Sequence, residues 1–199
     1  MRSRVRRPAS WVLGAALLAG AALGCAREER VSVEVVGGPH SVCKLPVTFE
    51  VDKPWKTNPA EQPLPPEMKR SFHFSRACDL DLKVGKEKVA LWVDVDDLKG
   101  TNPRKVLGDH DGVGLAGYGE YQYSSPESIS TSTVAGRPAA EMAYETKPPD
   151  DIPHEQIRKL TVVTPKGTIV LCVASKDPGG QERTRQVYER AKSSLRIVS

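Results

Sequence analysis

Ser41-Val-Cys-Lys44 spells SxxK, in which a serine at a helix start is activated by the lysine one turn later, as in penicillin-binding proteins. The setting is missing. Pro46 and the alternating residues after it argue against a helix start, and Lys166-Gly-Thr168 has the wrong order for the companion KTG box. Gly112-Val-Gly114-Leu-Ala-Gly117 matches GxGxxG, a phosphate cradle when a buried strand leads in and a helix leads out. Polar Gly108-Asp-His-Asp111 precedes it and strand-like Tyr118-Gly-Glu-Tyr-Gln-Tyr123 follows, so a dinucleotide site is not expected.

Asp94, Asp96 and Asp97 before Gly100, and again Asp109 and Asp111 on either side of His110, set carboxylate oxygens close together, as in a calcium loop. A calcium loop needs ligands at alternate positions through the fifth and glycine at the sixth. Leu98 and Lys99 stand there in a loop starting at Asp94, so these stretches read as a solvated strand end and a turn. No metal or other cofactor is expected. His40, His73, His110 and His154 are scattered over loops and one strand, and no Ser/His/Asp set can be assembled, so no catalytic residue is nominated. Tyr118, Tyr121 and Tyr123 are the surface candidates for a ligand or partner. Tyr121 and Tyr123 share a strand face, Gly119 leaves room beside them, and such rings could stack on cell-wall sugar or line an apolar cleft. Ordinary sheet packing is the competing explanation.

One further chemistry belongs to Cys25. Four arginines (Arg2, Arg4, Arg6 and Arg7) precede the apolar run Trp11–Gly24, which ends Ala22-Leu23-Gly24-Cys25. A basic head, a short apolar stretch and small residues describe an export signal, and a cysteine at that point matches a bacterial lipobox, in which Cys25 is acylated and becomes the first residue of the mature chain. The run is shorter than the about 20 residues of a membrane-spanning helix. Plain secretion with a chance cysteine is the alternative. Charge follows the signal. The whole chain has 29 Lys+Arg against 25 Asp+Glu. Loss of the four arginines leaves 25 of each, which removes the electrostatic case for nucleic acid or a polybasic membrane patch.

Outside the cytoplasm the remaining cysteines, Cys43, Cys78 and Cys172, can form one bridge. Cys172 lies inside the apolar run Thr168–Ala174, which reads as a buried strand, so Cys43–Cys78 is favoured, with Cys172 still open as the other partner of Cys78. These residues must be positioned by strands and two helices. Val31–Val36 reads as an edge strand and Val47–Val51 as a half-buried one, with Trp55 closing it and a Pro-rich loop from Thr57 to Pro66. Ser71–Leu82 with Lys88–Asp96, Ser128–Val134 with Arg137–Glu145, and Gln156–Val163 with Thr168–Ala174 form three hairpins. In the first, Phe72, Phe74, Cys78, Leu80 and Leu82 share one parity and so one face. Asn102-Pro103 opens a short helix to Leu107, followed by a Gly-rich loop from 108 to 119. A helix from Asp177-Pro-Gly-Gly180 to Ser194 has an apolar stripe of Val187, Tyr188, Ala191 and Leu195.

That order of elements, with Val47-Thr-Phe-Glu-Val-Asp-Lys-Pro-Trp55, Thr133-Val-Ala-Gly-Arg-Pro-Ala139, Pro165-Lys-Gly-Thr-Ile-Val170 and Ala191-Lys-Ser-Ser-Leu-Arg-Ile197, resembles the PsbP/Mog-type fold, and within it the small actinobacterial lipoproteins of the LpqN group. The resemblance implies an α+β domain, an antiparallel sheet flanked by helices, without an enzymatic activity typical of the fold. Members serve as assembly factors and binding modules, in photosystem assembly or on a small GTPase.

The expectation is an exported lipoprotein: signal peptide over 1–24, lipid-anchored tether and N-terminal segment over 25–45, and one domain over 46–199. It would sit at the outer face of the cytoplasmic membrane, held by the lipid on Cys25, as a non-catalytic module for an envelope protein or cell-wall component. A carrier of a lipid or other apolar ligand between sheet and helix is the alternative, and a hydrolase on Ser41 and Lys44 a remote third.

Overall fold

Alternating and continuous apolar runs become strands here, and the turns between them are set by residues that tolerate the left-handed region. The computed structural model describes residues 32–52, 55–59, 74–84, 87–96, 102–116, 122–123, 129–147, 155–175, 177 and 180–198. Their order is β1 (Val33–Gly37), β2 (Val47–Asp52), β3 (Trp55–Pro59), β4 (Phe74–Val84), β5 (Glu87–Asp96), α1 (Pro103–Ala116), β6 (Gln122–Tyr123), β7 (Ser130–Val134), β8 (Arg137–Lys147), β9 (Gln156–Thr164), β10 (Gly167–Ser175), α2 (Gly180–Ser194) and β11 (Arg196–Ile197). The class is α+β. Eight strands form an antiparallel sheet in the order β3-β4-β5-β10-β9-β8-β6, with β7 paired to β8, and β1-β2-β11 form a second sheet.

All three expected hairpins are present. The β7–β8 turn has Ala135 at φ 50° and Gly136 at φ 71°, the pair of positive values that a two-residue hairpin turn of type I′ requires. In the β9–β10 hairpin, Thr164 faces Gly167 across Pro165-Lys166. The middle strands are buried on both faces, since every residue of β10 is covered. That explains why its sequence is continuously apolar rather than alternating.

The two faces of the large sheet hold separate cores. On one, Leu80, Leu91, Val93, Leu160, Leu171 and Val173 meet α2, through Val187, Tyr188, Ala191 and Leu195, and the small sheet, through Val36, Val47, Phe49 and Val51. On the other, Val106 and Leu107 of α1 meet Phe74, Met142, Tyr144, Ile157, Val170 and Cys172. Cys43, between β1 and β2, is joined by a disulfide to Cys78 of β4, and Cys172 is a buried free thiol.

Three local expectations are corrected. Thr57–Pro59 is strand, not loop: β3 adds to the edge of β4, with Pro59 at its end, where a missing amide costs least. The helix at Asn102 does not stop at Leu107 but runs through Gly108 to Ala116. Asn102 caps it, its Oδ1 accepting the Arg104 amide at 2.9 Å, and contacts of Val106, Leu107 and Asp111 with the sheet override the low helix propensity of glycine. Third, the register of β4 against β5 shifts between Arg76 and Cys78. This bulge turns the strand over, so Phe74 faces α1 while Cys78 and Leu80 face α2.

Candidate functional site

Charged residues placed by β4, β5, β9, β10 and α1 meet beneath that helix. In the sheet, Asp79, Trp92, Cys172, Lys159 and Met142 stand opposite one another in consecutive strands, and Arg76 pairs with Asp94 one step along. Helix α1 sets His110 and Asp111 above this row. His110 Nε2 lies 2.8 Å from Asp94 Oδ2, and Arg76 Nε donates to Asp94 Oδ1 at 2.7 Å. Arg76 also reaches Asp79 at 2.6 Å and stacks over Trp92. On the other side, Asp111 Oδ1 accepts from Lys159 Nζ at 2.6 Å and from the Tyr144 hydroxyl at 2.9 Å.

The inner part of this layer is nearly dry, while Arg76 and Asp79 at its edge are partly exposed. The Lys159 and Asp94 side chains are 5% and 8% exposed, and His110 is 11% exposed. Burial alone would raise the Asp94 carboxyl, but the His110 hydrogen bond and the Arg76 charge outweigh it and hold the group below the ordinary carboxylate range. Burial pushes the Cys172 thiol far up. Asp94, His110 and Cys172 each bring a ligand atom within 4.8 Å of the other two. A cysteine, a histidine and an acid are the residue types of nucleophilic catalysis, but a fully covered, protonated thiol is the opposite of an activated one. What the layer does as it stands is clamp α1 to the sheet.

A second polar cluster lies on the α2 side. Glu141 of β8 accepts from Ser132 at 2.7 Å, Tyr188 at 2.8 Å and Lys192 at 2.6 Å. These donors overcome burial and hold its carboxyl low. A small cavity of about 150 Å³ beside it is lined by Glu141, Arg158, Tyr188 and Glu189 among others. A larger open groove of about 480 Å³ runs between the start of α1 and β7, β8 and β9, over Asn102, Pro103, Thr131, Ser132, Pro138, Ala139 and Val163.

The residues singled out in the sequence fall as follows. Cys25, Tyr118 and Tyr121 lie outside the described residues. Tyr123 ends β6, opposite Thr146 of β8. Ser41 and Lys44 sit in the connection between β1 and β2, not at a helix start, and Ser41 Oγ accepts the amides of Gly37 and Cys43. Gly112 and Gly114 are inside α1, so GxGxxG precedes no helix. Asp109 and Asp111 cannot share an ion: Asp109 pairs with Lys105 on the exposed side while Asp111 points inward to Lys159. Sequence reasoning missed the Asp94–His110–Cys172 grouping and Lys159. The adjacent charges Arg158-Lys159 within one predicted strand were the available signal, since neighbouring strand residues point to opposite faces and both cannot face the same solvent side.

A family model described as "Uncharacterised lipoprotein" matches residues 19–195. Among solved structures, LpqN of Mycobacterium tuberculosis, described as involved in cell envelope biogenesis, superposes with a TM-score of 0.53 at 16% identity, covering 87% of this chain and 94% of that one. The PsbP protein (CyanoP) of Synechocystis sp. PCC 6803 gives 0.52 at 13% identity over 87% and 96% of the two chains. The Ran-binding protein Mog1p of Saccharomyces cerevisiae gives 0.49 at 10% identity over 85% and 97%, a likeness too slight to argue from. No curated protein sequence matches. The fold is therefore of the type expected from the sequence.

Proposed function

The chain belongs to this uncharacterised lipoprotein family, and from that premise we propose that it is exported, loses residues 1–24, and is held by acylated Cys25 at the outer face of the cytoplasmic membrane. There its folded part acts as a non-catalytic interaction module for an envelope component. The packed apolar contact between α2 and the sheet carries this reading: Val187, Tyr188, Ala191 and Leu195 are each at most 3% exposed, and the cavity beside them, about 150 Å³, is smaller than ordinary small-molecule sites. Further support comes from the formally neutral mature chain and from the shared fold of LpqN, described as involved in cell envelope biogenesis. No helix among the described residues is long and apolar enough to cross a membrane.

Cross-linking in intact cells tests the module, with the full chain carrying a photoreactive residue at exposed positions such as Thr131, Arg137 or Gln186. Discrete adducts with an envelope component are expected, and Cys25→Ser should release the chain from the membrane fraction or stall its processing. Unchanged retention and processing of Cys25→Ser would count against the anchor, and absence of adducts at every position against the module. The open groove favours one other reading, a carrier of a small apolar molecule, because its 480 Å³ is on the scale of ligand sites. A stoichiometric molecule co-purifying with the chain, and lost in Thr131→Trp, would turn the assignment that way.

A further inference from the structure

Asp94, His110 and Cys172 come from β5, α1 and β10, and their ligand atoms lie within 4.8 Å of one another. We propose that these three side chains form a binding site for one divalent cation of the zinc(II) type. The donor set is one carboxylate oxygen, one imidazole nitrogen and one sulfur, the ligands that tetrahedral zinc takes, and three protein ligands leave a fourth position for water. Two of the three stand on central strands fixed by pairing on both sides, so the site is rigid where it most needs to be.

Four observations favour the ion. The first is charge. Lys159 is engaged by Asp111, outside the trio, and Arg76 is shared between Asp79, also outside it, and a single oxygen of Asp94. The second is orientation. Arg76 Nε holds Asp94 Oδ1 and leaves Oδ2, now facing His110, to turn to a metal, as hydrogen-bonded carboxylate ligands do in metal sites. The third is an orphan. His110 Nδ1 is buried and has no hydrogen-bond partner, a vacancy that a small rotation of the ring toward an ion or its water would fill. The fourth is Cys172 itself, a covered thiol outside the disulfide. Ligation would take it as thiolate and release its proton to solvent, which offsets part of the incoming charge.

The opposing term is the cost of opening the His110–Asp94 contact, so a weaker ion such as calcium or magnesium, with no use for sulfur, is not expected to bind here.

Metal-free full-length chain, purified in detergent, would be titrated with cobalt(II) and then zinc(II). One cobalt per chain is expected, with a thiolate-to-cobalt charge-transfer band in the near ultraviolet that one equivalent of zinc removes. Cys172→Ser should lose the band, and Arg76→Gln, which loosens the Asp94 carboxylate without replacing a ligand, should weaken binding by about 10- to 100-fold. Should Cys172→Ser fail to fold, His110→Gln with the thiol intact replaces it, and must weaken binding and alter the band. Absence of the band, or a band unchanged by substitution at Cys172 or His110, would overturn the site.

Discussion

Asp94 is where the physics of single residues is clearest. It is 6% exposed, yet it is held as a carboxylate by His110 on one oxygen and Arg76 on the other. Its proton affinity in the folded chain lies below the ordinary value, whereas in the unfolded chain it titrates near 3.9. The unfolded state then binds the proton more readily, so the stabilisation is complete above about pH 4 and is lost as pH falls toward the lowered folded value. Asp94→Asn, which mimics the protonated acid, should cost about 2 kcal/mol at pH 7, less than a fully buried pair because Arg76 is 41% exposed. Urea unfolding at pH 7 and pH 3 checks this: the gap between parent and variant should narrow in acid. A gap of constant size would mean that the charge of Asp94 contributes nothing. None of this was readable in the sequence, because Asp94 looked like the solvated end of a strand. Its partner His110 lies 16 residues away on a helix whose extent was misjudged.

At the scale of elements, the hairpins announced themselves and α1 did not. Alternation in Val89-Ala-Leu-Trp-Val-Asp-Val95 and the Ala135-Gly136 turn are local signals, and local signals survive folding. Gly108, Gly112 and Gly114 read as a loop because helix propensity is also local, while the docking that sustains the helix comes from Lys159 and Tyr144, far along the chain. The parity of β4 failed for a related reason: one bulge near Ala77 reverses which face each residue takes, and alternation cannot show it. Gly108 therefore weakens the helix without being needed for its path. A methyl group at Gly108 would come no nearer than 4.0 Å to Ile129 Cδ1. Gly108→Ala should stabilise the chain by about 0.5–1 kcal/mol, raising the melting temperature by about 1–4 °C. Gly180, at the start of α2, is the contrast, since a methyl there would overlap Ser175 Oγ; Gly180→Ala should lower the melting temperature. Thermal unfolding of both variants decides the point, and a fall for Gly108→Ala would show that the helix uses that glycine.

On the scale of the whole molecule, two sheets must be kept together, and they share only one of the two cores. The small sheet has β1, β2 and the two residues of β11, too few strands to be stable alone. It is fixed by its apolar side chains against α2 and the large sheet, by Arg190 and Arg183 of α2 on Asp52, and by the Cys43–Cys78 bridge. The sequence favoured that bridge, since Cys172 sat inside an apolar run, but left Cys172 open as the other partner of Cys78; the structure pairs Cys43 with Cys78 and buries both at the junction of the sheets. Closing a loop over a sequence separation of 35 removes unfolded-state freedom equivalent to about 4 kcal/mol, of which strain and residual structure leave about 2–4. Replacing both cysteines by alanine should thus lower the melting temperature by about 5–15 °C, and reductant should lower that of the parent but not of the variant. Because the cross-link acts on the unfolded chain, most of the effect should appear as slower refolding or faster unfolding without change in the folded circular-dichroism spectrum. Equal melting temperatures with and without reductant, or an unchanged mass of the parent after reduction, would remove the bridge from the account and leave the small sheet resting on α2 alone.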